Sequence, residues 1–563
     1  MIESAQVHAD GQTLSCGICI VGGGAAGITL ALSLIGKGLD VLLLEAGQEQ
    51  ADAASQSLYE GEVVDERMHS PTDKYRHRGW GGSTTIWGGR CMPFDPIDFE
   101  ARPQVPLSGW PLSLSDIAPF YPQANAYLEA GHFEYDARDA FDPPAPPLIA
   151  GFASPSLSTE GLERFSCPTN MGQRYRARLA VAKDVRVLMG ANCTAVHLTN
   201  DGTRVDSVAV TTSAGAKLRV TASAFVLAIG GLETARLLLA SRDVRPAGVG
   251  NAHDVVGRYY MCHLAGNVGR LTISGSPTAV RHGYEVSPDG VYCRRRLQLT
   301  PEVQRWLGVS NLIARLHFPK ITDPAHRNGV LSGLYLARHF ISYEYGKRLN
   351  DGHGKGLLHE LRHLWNVLTH PADALTFIAH WIRKRTLADR KFPSIILRNR
   401  TNRFSLDVHA EQIPLPESRV TLGTQTDALG MPRIKVDWRY SPDDIKMVER
   451  TLRRMADEFA ASGAARFEFD PATLEDDLTR FGAYGGHHLG TARMGSDPTT
   501  SVVDANCRVH DVSNLFIAGG AVFPTSSQAN PTLTIVALAL RLADHIRHVQ
   551  SGRSISVDAS ARV

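Results

Sequence analysis

The chain has 563 residues and a formal net charge of +2, with 43% hydrophobic and 21% charged residues. A chain this long exceeds one ordinary core, so two large domains, or one domain with long insertions, are expected. The near-neutral charge gives no basis for a nucleic-acid partner.

The apolar run over residues 16–35 predicts a folded strand and helix, because three consecutive glycines interrupt it and no basic segment precedes it. No other run is long enough to predict a membrane span. Eight cysteines in so long a chain are too few for a disulfide framework, which favours a reducing compartment. We therefore expect a cytoplasmic protein, with export alongside a partner left open.

The first predicted unit is a strand, a glycine-rich turn and a helix. Residues 16–21 form the strand, and a helix reaching residue 37 follows the turn G-G-G-A-A-G. In such a turn Gly22 reverses the chain, Gly24 lets the backbone approach a pyrophosphate, and Gly27 allows close helix packing. The next strand, residues 40–44, ends at Glu45, whose carboxylate can hold ribose hydroxyls. These features predict a dinucleotide site, with NAD and FAD both open at this point.

A second glycine-rich cluster covers residues 78–90 and reads R-G-W-G-G-S-T-T-I-W-G-G-R. Exposed backbone of this kind suits a flat ring or a phosphate, and Trp87 is a candidate wall of a ligand site. A glycine-rich loop that only packs is the alternative.

The candidate catalytic residues lie near the other end of the chain. His487 lies within H-H-L-G-T, a short buried strand is predicted at residues 515–518, and Asn530-Pro531 precedes an apolar helix at 533–546. Asn at the N-cap and Pro at N1 favour a helix start, whose positive end attracts an anion such as reduced flavin. An imidazole can accept an alcohol proton near neutral pH. A simple helix cap and an ordinary loop histidine are the alternatives.

Together these motifs resemble those of the glucose-methanol-choline (GMC) family of FAD-dependent oxidoreductases. The resemblance covers both ends and most of the middle of the chain. It is carried by residues 22–27 with Glu45, 81–84, 225–231 with Glu233-Thr234 and a helix at 235–239, 411–414, 418–420, H-x-x-G-T at 487–491 and N-P-x-x-T at 530–534.

The resemblance implies catalytic, FAD-binding and substrate-binding residues. His487 matches the catalytic histidine and Asn530 its partner. The predicted FAD contacts are Gly22, Gly24, Ala25, Gly27, Glu45, Ala46, Arg78, Gly81, Gly82, Ser83, Thr84, Val196, Gly520, Pro531 and Thr532. The candidate substrate contacts are Trp87, Gln412 and His488, with a structural hydrogen bond as the alternative for Gln412. No metal site is expected.

The resemblance also implies an α/β fold, α+β overall, with a discontinuous organisation. A Rossmann-type FAD-binding domain is predicted from residues 1–100, 180–265 and 485–550. A substrate-binding domain from residues 101–179 and 266–484 is expected to be built on a large mixed sheet flanked by helices. Strands are predicted at 185–189, 195–198 and 225–229, with 412–416 as a strand end near the pocket and 417–419 at its rim.

Two departures from the family pattern bear on cofactor and substrate. Ile86 lies where some sugar-oxidising members attach FAD through a histidine, so non-covalent FAD is expected. Trp87-Gly88 replaces the usual Asn-Gly, which resembles a branch acting on sugars, glycosides and polyols.

Residues 347–400 read as a basic helical insertion in the substrate domain, with 11 Lys or Arg against 4 Asp or Glu, a net charge of +7. Leu357, Leu358, Leu361, Leu364, Trp365 and Leu368 form one apolar helical face, here called the leucine stripe. A second amphipathic helix is predicted after Pro371. The favoured interpretation is a lid packed on the core with a solvated basic face. Docking to an anionic lipid surface, an anionic polymer or an electron-accepting partner is the alternative.

The insertion also contains the zinc-binding pattern H-E-x-x-H, at His359, Glu360 and His363. Both histidines fall on the helix face opposite the leucine stripe. They are therefore predicted to point to solvent, and a zinc hydrolase is a minor alternative.

The predicted activity is FAD-dependent oxidation of an alcohol, with a ring hydroxyl of a sugar or glycoside as the expected substrate. His487 would take the hydroxyl proton while hydride moves to flavin N5. A primary, aromatic or polyol substrate, or a flavin-binding partner protein without turnover, is the alternative. The electron acceptor, oxygen or another molecule, is left open.

Overall fold

The computed structural model describes residues 1–50, 52–276, 279–319, 321–340, 356–394, 397, 402–480, 482–483 and 486–550. The strands in this part of the chain are β1 (Ile2–Ser4), β2 (Thr13–Val21), β3 (Val41–Glu45), β4 (Glu62–Val63), β5 (Arg90–Cys91), β6 (Leu157–Ser158), β7 (Leu162–Phe165), β8 (Val185–Met189), β9 (Ala191–Leu198), β10 (Val205–Thr212), β11 (Lys217–Leu227), β12 (Leu264–Ile273), β13 (Glu285–Val286), β14 (Tyr292–Arg295), β15 (Leu297–Leu299), β16 (Leu312–His317), β17 (Arg403–Ala410), β18 (Arg419–Thr426), β19 (Pro432–Asp437), β20 (Ala465–Glu468) and β21 (Leu515–Ile517). The α-helices are α1 (Ala25–Leu34), α2 (Ala53–Ser57), α3 (Leu114–Ile117), α4 (Tyr121–Tyr127), α5 (Met171–Val181), α6 (Gly231–Ala240), α7 (Pro301–Leu307), α8 (Gly329–Leu336), α9 (Leu357–Thr369), α10 (Pro371–Trp381), α11 (Pro442–Ser462), α12 (Pro471–Thr479) and α13 (Thr532–Gln550).

An eight-stranded sheet brings the two ends of the chain together. Its order is β1-β8-β3-β2-β11-β10-β9, and β21 also pairs with β11. Strands β1, β8, β3, β2, β11 and β21 pair in parallel, whereas β10 runs antiparallel to β9 and β11. Every residue of β3 is buried, as expected for a parallel strand covered on both faces. The predicted Rossmann-type α/β fold is confirmed.

The first strand, turn and helix meet as the glycine pattern predicts. Gly22 has a φ of +108°, a backbone conformation that side-chain-bearing residues rarely adopt. A Cβ on Gly27 would lie 1.9 Å from Gly22 O, so α1 approaches the turn too closely for any side chain there. The helix ends at Leu34, earlier than predicted, and the second strand includes Glu45.

A second sheet carries the opposite wall of the core. It has six strands in the order β20-β12-β17-β16-β15-β6. Its pairings are antiparallel, where a mixed sheet is predicted. Smaller sheets, β13-β14-β7-β5 and β18-β19-β4, complete the described sheets. Apolar side chains of the two large sheets belong to one continuous buried cluster.

No helix in the described part of the chain combines the length and apolar character needed to cross a membrane.

The insertion contains the two predicted helices, α9 and α10, but α9 faces the other way. Every member of the leucine stripe is between 44% and 75% exposed, while His363 is fully buried. The leucine stripe is therefore not the side that packs on the core, and the prediction of solvent-facing histidines is wrong. The basic residues of the predicted lid, such as Arg362, are exposed as expected. Residues 347–355, 395, 396 and 398–400 of the predicted insertion lie outside the described residues.

The buried face of α9 is held by hydrogen bonds to α8 instead of by apolar packing. His363 Nδ1 lies 2.9 Å from Ser332 Oγ, and its ring stacks on Tyr335 with centroids 4.0 Å apart. His363 Nε2 is 3.3 Å from His359 Nε2, and Glu360 forms a 2.8 Å ion pair with Arg338. The members of the zinc-like pattern are thus engaged with one another and with α8.

Candidate active site

One cavity of about 540 Å³ joins the glycine-rich turn to the His487 region. Its volume is within the range of small-molecule and cofactor sites. The predicted site residues that line it are Gly22, Gly24, Ala25, Glu45, Ala46, Arg78, Gly82, Ser83, Thr84, Trp87, His487, His488, Gly520, Asn530, Pro531 and Thr532. The fold therefore gathers residues from both ends of the chain around one space.

At the glycine-rich turn the backbone leaves room for a ligand. A Cβ on Gly24 would meet only Gly82 Cα, at 4.0 Å, so the space that a side chain would occupy belongs to the cavity. Helix α1 begins beside Gly24 without a side-chain cap. Its free N–H groups and positive dipole end suit a phosphate.

Glu45 and Arg78 bring two charges to this part of the cavity. The Glu45 carboxylate accepts hydrogen bonds from Gly23 N and Gly47 N, each at 2.7 Å. Arg78 donates to Asn192 Oδ1 at 2.8 Å, while its Nε is buried without a hydrogen-bond partner among the described residues. An unsatisfied guanidinium N–H that shares the cavity with a bare helix start fits an anionic ligand such as a diphosphate. These residues fit the dinucleotide expected from the glycine pattern.

The second glycine cluster packs against the first. Gly81, with φ +93°, donates its N–H to Gly23 O at 2.9 Å, so it supports the turn from behind and does not line the cavity. Thr84 Oγ1 donates to Gly81 O at 2.6 Å, which closes the short 3-10 helix Gly82–Thr85. Trp87 Nε1 donates to Thr169 O at 3.0 Å, and Trp87 lines the cavity.

His487 and Asn530, 43 residues apart in sequence, meet in this cavity. Asn530 Nδ2 lies 3.1 Å from His487 Nε2. An amide nitrogen is a donor only, so His487 Nε2 is the unprotonated acceptor and Nδ1 carries the proton. The arrangement therefore presents the lone pair of an imidazole, next to an amide N–H, to whatever enters the cavity.

His263 stands behind His487 and fixes its tautomer. His487 Nδ1 is 2.9 Å from His263 Nδ1, which accepts the proton because His487 must donate from that nitrogen. His263 is fully buried and stacks on His409 with ring centroids 4.2 Å apart. Sequence reasoning missed His263, since no spacing relates it to residue 487 and only the fold brings them together.

Burial keeps these imidazoles neutral. Desolvation, together with His263 and the guanidinium of Arg90, lowers the pKa of His487 well below its usual value. Desolvation lowers the pKa of His263 to about 4. Both rings are thus uncharged near neutral pH, and His487 is available as a proton acceptor.

The three imidazoles of His263, His409 and His487 have nitrogen atoms within 4.8 Å of one another. They do not converge on one point. The rings of His263 and His409 are stacked with only 25° between their planes, and His409 Nδ1 contacts Gln528 O at 2.6 Å. Nitrogen lone pairs lie in the ring plane, so two stacked rings cannot both direct them at one metal ion. We therefore assign this cluster to hydrogen bonding.

His488 contributes a second polar atom to the cavity. Its Nδ1 contacts Tyr260 OH at 2.6 Å, and its Nε2 is buried without a partner among the described residues. Asn530 Oδ1 is likewise buried without a hydrogen-bond partner among the described residues. Buried polar atoms left unpaired cost free energy, so these two point to a polar ligand that completes them.

Four predicted contacts do not line the cavity: Gly27 and Gly81, which pack around the glycine-rich turn, and Gln412 and Val196. Gln412 is fully buried and accepts from Cys262 N at 2.9 Å and Trp438 Nε1 at 3.0 Å. Its role is the structural hydrogen bond, so the substrate prediction is wrong. Val196 N donates to Ser241 Oγ at 2.9 Å, and Ala191 and Cys193 of the same strand line the cavity instead.

Asn530 is not the N-cap of the last helix. Helix α13 begins at Thr532, and its first bond within the part described here runs from Ile535 N to Pro531 O at 2.9 Å. The helix thus starts one residue later than predicted, and the Asn530 amide is used by His487. Pro531 and Thr532, at the positive end of α13, still line the cavity.

Among the lining residues that sequence reasoning did not single out are Arg90 and, from the substrate side, Phe165 and Tyr284. Phe165 and Tyr284 meet edge to face with centroids 5.0 Å apart, and Phe392 meets Tyr284 at the same distance. Pro393 and Ser394 of the insertion also line the cavity. No motif identifies these residues, because they are ordinary members of strands and loops.

Comparisons with known proteins identify similar sequences and a similar fold. Residues 414–539 match the C-terminal family model of the GMC oxidoreductases. The chain is 24% identical to a 2-methyl-1,2-propanediol dehydrogenase from Mycolicibacterium austroafricanum, with 94% of each chain covered. It is 25% identical to a 6'''-hydroxyparomomycin C oxidase from Streptomyces lividus, with 96% of this chain and 93% of that one covered. The solved structure of a pyridoxine 4-oxidase from Mesorbium loti aligns with a TM-score of 0.51 at 20% identity, over 95% of this chain and 99% of that one, and supports the fold.

Proposed function

We infer from its membership of the GMC oxidoreductase family that this chain is an FAD-dependent enzyme oxidising an alcohol group, and we propose a sugar or glycoside ring hydroxyl as the substrate. The observation that carries the proposal is the 3.1 Å pairing of His487 Nε2 with Asn530 Nδ2 in the cavity. A proton acceptor and a proton donor on neighbouring atoms are what an alcohol oxygen needs as it loses its proton.

The residues proposed to hold FAD are those of the two glycine clusters. Gly24 and the start of α1 would receive the diphosphate, assisted by Arg78, and Glu45 would bind ribose hydroxyls. When bound, FAD supplies the acceptor for the hydride that leaves the alcohol carbon.

His487 is the proposed general base. When the alcohol oxygen enters, it replaces Nε2 as the acceptor of the Asn530 N–H, which holds the oxygen in place and frees the Nε2 lone pair to accept the hydroxyl proton. His263 stabilises the reactive tautomer by accepting the Nδ1 proton at 2.9 Å. The lowered pKa of His487 keeps this nitrogen unprotonated near neutral pH.

The start of α13 is proposed to favour negative charge in the cavity. Pro531 and Thr532 line it, and the first N–H groups of a helix lack partners within the helix. A ligand that gains negative charge there is stabilised by these groups and by the helix dipole.

The substrate class is supported by the polar and aromatic surroundings. Asn530 Oδ1 and His488 Nε2 are buried and unpaired among the described residues, and Trp87 offers a flat apolar surface. A carbohydrate ring presents several hydroxyls along its edge and an apolar face, which matches this combination. One relative is named for oxidation of 6'''-hydroxyparomomycin C.

We also propose that FAD is bound without a covalent link. Ile86 lines the cavity at the position where some relatives carry a histidine, and isoleucine has no atom able to form such a bond. Acid precipitation of the yellow protein should leave the flavin in the supernatant. Flavin that stays with the precipitated protein would contradict this.

The direct test of the function is anaerobic bleaching of the bound flavin against a panel of alcohols. Sugars and glycosides are expected to bleach the flavin, with polyols and aromatic alcohols slower. Bleaching only by non-sugar alcohols would retain the chemistry and overturn the substrate class. No bleaching by any member would favour a flavin-binding protein without turnover.

A further inference from the structure

The insertion exposes apolar side chains on a scale found nowhere else in the described chain. Among the described residues 21 large apolar side chains are exposed, and ten of them lie within residues 357–387. Six form the leucine stripe, and Leu375, Ile378, Ile382 and Leu387 follow it. These ten side chains are called the insertion face below. The six members of the leucine stripe share one side of α9, and contiguous apolar surface of this kind marks an interaction site.

The orientation of α9 is built into its contacts. Its polar side is tied down by His363 at 2.9 Å to Ser332 Oγ and by Asn366, whose Nδ2 donates to Pro324 O at 2.8 Å. Asn366 Nδ2 also donates to Ser332 Oγ at 3.1 Å. Turning the leucines inward would break these buried hydrogen bonds, so the outward apolar side is the one the sequence specifies.

Basic residues accompany the insertion face. Arg362, Arg383, Lys384 and Lys391 are all exposed. Residues 347–400 carry a net charge of +7 whereas the whole chain carries +2. The partner that covers the insertion face is therefore expected to be apolar at the centre of the contact and anionic around it.

A second copy of this chain does not meet that description. Two-fold pairing through the insertion face would set the basic residues of one copy against the equally basic surface of the other. Repulsion between these cations opposes the contact. An anionic bilayer meets both requirements, because acyl chains accept the leucines and charged headgroups attract the basic residues.

We propose that the insertion face docks on an anionic lipid bilayer, with α9 and α10 lying in the interfacial region. Helix α9 has 13 residues, a length of about 20 Å, which suits a helix lying in the interface and is short of the ~30 Å hydrocarbon core. Trp365 on the exposed side and Trp381 on α10 are residues typical of the membrane interface.

Docking would bring the mouth of the cavity close to the lipid. Phe392 links the insertion to Tyr284, and Pro393 and Ser394 line the cavity. The proposal stands apart from the proposed activity, since it concerns only where the protein resides.

The test is flotation of the FAD-loaded full chain with lipid vesicles, detected as protein in the floating fraction. Vesicles of phosphatidylcholine alone are compared with vesicles that also contain phosphatidylglycerol, at low and high salt. The protein is expected to float with the anionic vesicles and to be released by salt. Each basic residue reversed to Glu, as in Lys384→Glu, should weaken binding about fivefold or more.

A matched pair of tryptophan variants locates the surface. Trp365 is 67% exposed on α9 and Trp306 is 73% exposed on α7. Trp365→Glu should reduce flotation at least tenfold, about 1.4 kcal/mol, while Trp306→Glu should leave it unchanged. Leu375→Glu on α10 is a second variant should Trp365→Glu fail to fold, and the flavin spectrum reports folding in each case.

Three outcomes would overturn the proposal. Wild-type protein that stays with the dense fraction in both vesicle types does so directly. Equal flotation of wild type, Trp365→Glu and Leu375→Glu places lipid binding elsewhere. A dimer in light scattering that Trp365→Glu dissociates, without any flotation, assigns the insertion face to a second copy of the chain.

Discussion

The cavity and the insertion use polar and apolar residues in opposite ways. In the cavity, polar groups such as His487 and Asn530 face inward and are held by further polar groups. In α9 the polar residues His363 and Asn366 also face the protein, but the leucine stripe faces out. Buried polar residues thus hold both regions in place. The cavity presents polar atoms to a ligand, whereas α9 presents apolar side chains to a partner.

Hydrophobic periodicity determined only part of the orientation of α9. A 3.6-residue pattern states which side chains share a helix face, and α9 follows it. It does not state which face meets the protein, because that depends on what the neighbouring element offers. Helix α8 offers Ser332 and Tyr335, and these select the histidine side.

The largest effect is expected in the cavity, from His487→Ala. The variant should keep FAD and slow flavin reduction by roughly 10²–10⁴, the usual share of general-base catalysis. Stopped-flow absorbance under anaerobic conditions measures it, using the best substrate of the alcohol panel.

His488→Ala is the control for His487→Ala, since both side chains line the cavity. It should alter KM more than the reduction rate. Near wild-type reduction in His487→Ala would contradict the assignment of the base.

A smaller effect is expected at His263, which acts through His487. His263→Leu removes the acceptor of the Nδ1 proton and should slow reduction about 10- to 100-fold, by analogy with partners that orient metal-bound imidazoles. The KM should change little, and His263→Asn should restore part of the rate, since its amide oxygen can accept. Equal losses in the Leu and Asn variants would indicate a packing role only, and His409→Phe controls for disturbance of the stacked ring.

Gly24 and Gly27 are expected to respond differently to a substitution by Ala, because Gly24 borders the cavity and Gly27 packs against the backbone. Gly27→Ala places a Cβ 1.9 Å from Gly22 O, and overpacking of this kind costs about 1–3 kcal/mol or more of folding free energy. Gly24→Ala meets nothing closer than 4.0 Å, so it should fold normally and still bind FAD more weakly. Thermal unfolding and FAD titration measure the two effects, and normal FAD affinity in Gly24→Ala would remove that residue from the site.

The smallest effects test the direction of α9. His363→Ala should destabilise the protein by about 1–3 kcal/mol, because it removes a buried hydrogen bond to Ser332 and the ring stacked on Tyr335. Leu368→Ala, at a side chain 65% exposed, should stay within about 0.5 kcal/mol of wild type. Denaturant unfolding measures the free energy of unfolding of both variants. A larger loss of stability in Leu368→Ala than in His363→Ala would mean that the leucine stripe is buried.

Local sequence information predicted the parts of the fold that local chemistry determines. The turn at Gly22, the close approach at Gly27 and the buried strand before Glu45 follow from residue type and spacing. The meeting of His487 and Asn530 was predicted through the family resemblance. The distance between them is a property of the fold, since a sheet strand and a loop separate them in sequence.

The predictions from sequence failed for residues whose role depends on contacts with distant parts of the chain. Gln412 reads as a pocket residue until Trp438 and Cys262 N are seen to use its amide. Asn530 reads as a helix cap until His487 is placed beside it. His263 carries no motif, so neither its burial nor its contact could be anticipated.

The most direct test of the central claim is a crystal structure of the chain with FAD bound. The diphosphate is expected against Gly24 and α1, and the reactive edge of the flavin ring within contact distance of both His487 and Asn530. A flavin ring bound away from these two side chains, or a dinucleotide outside this cavity, would contradict that claim.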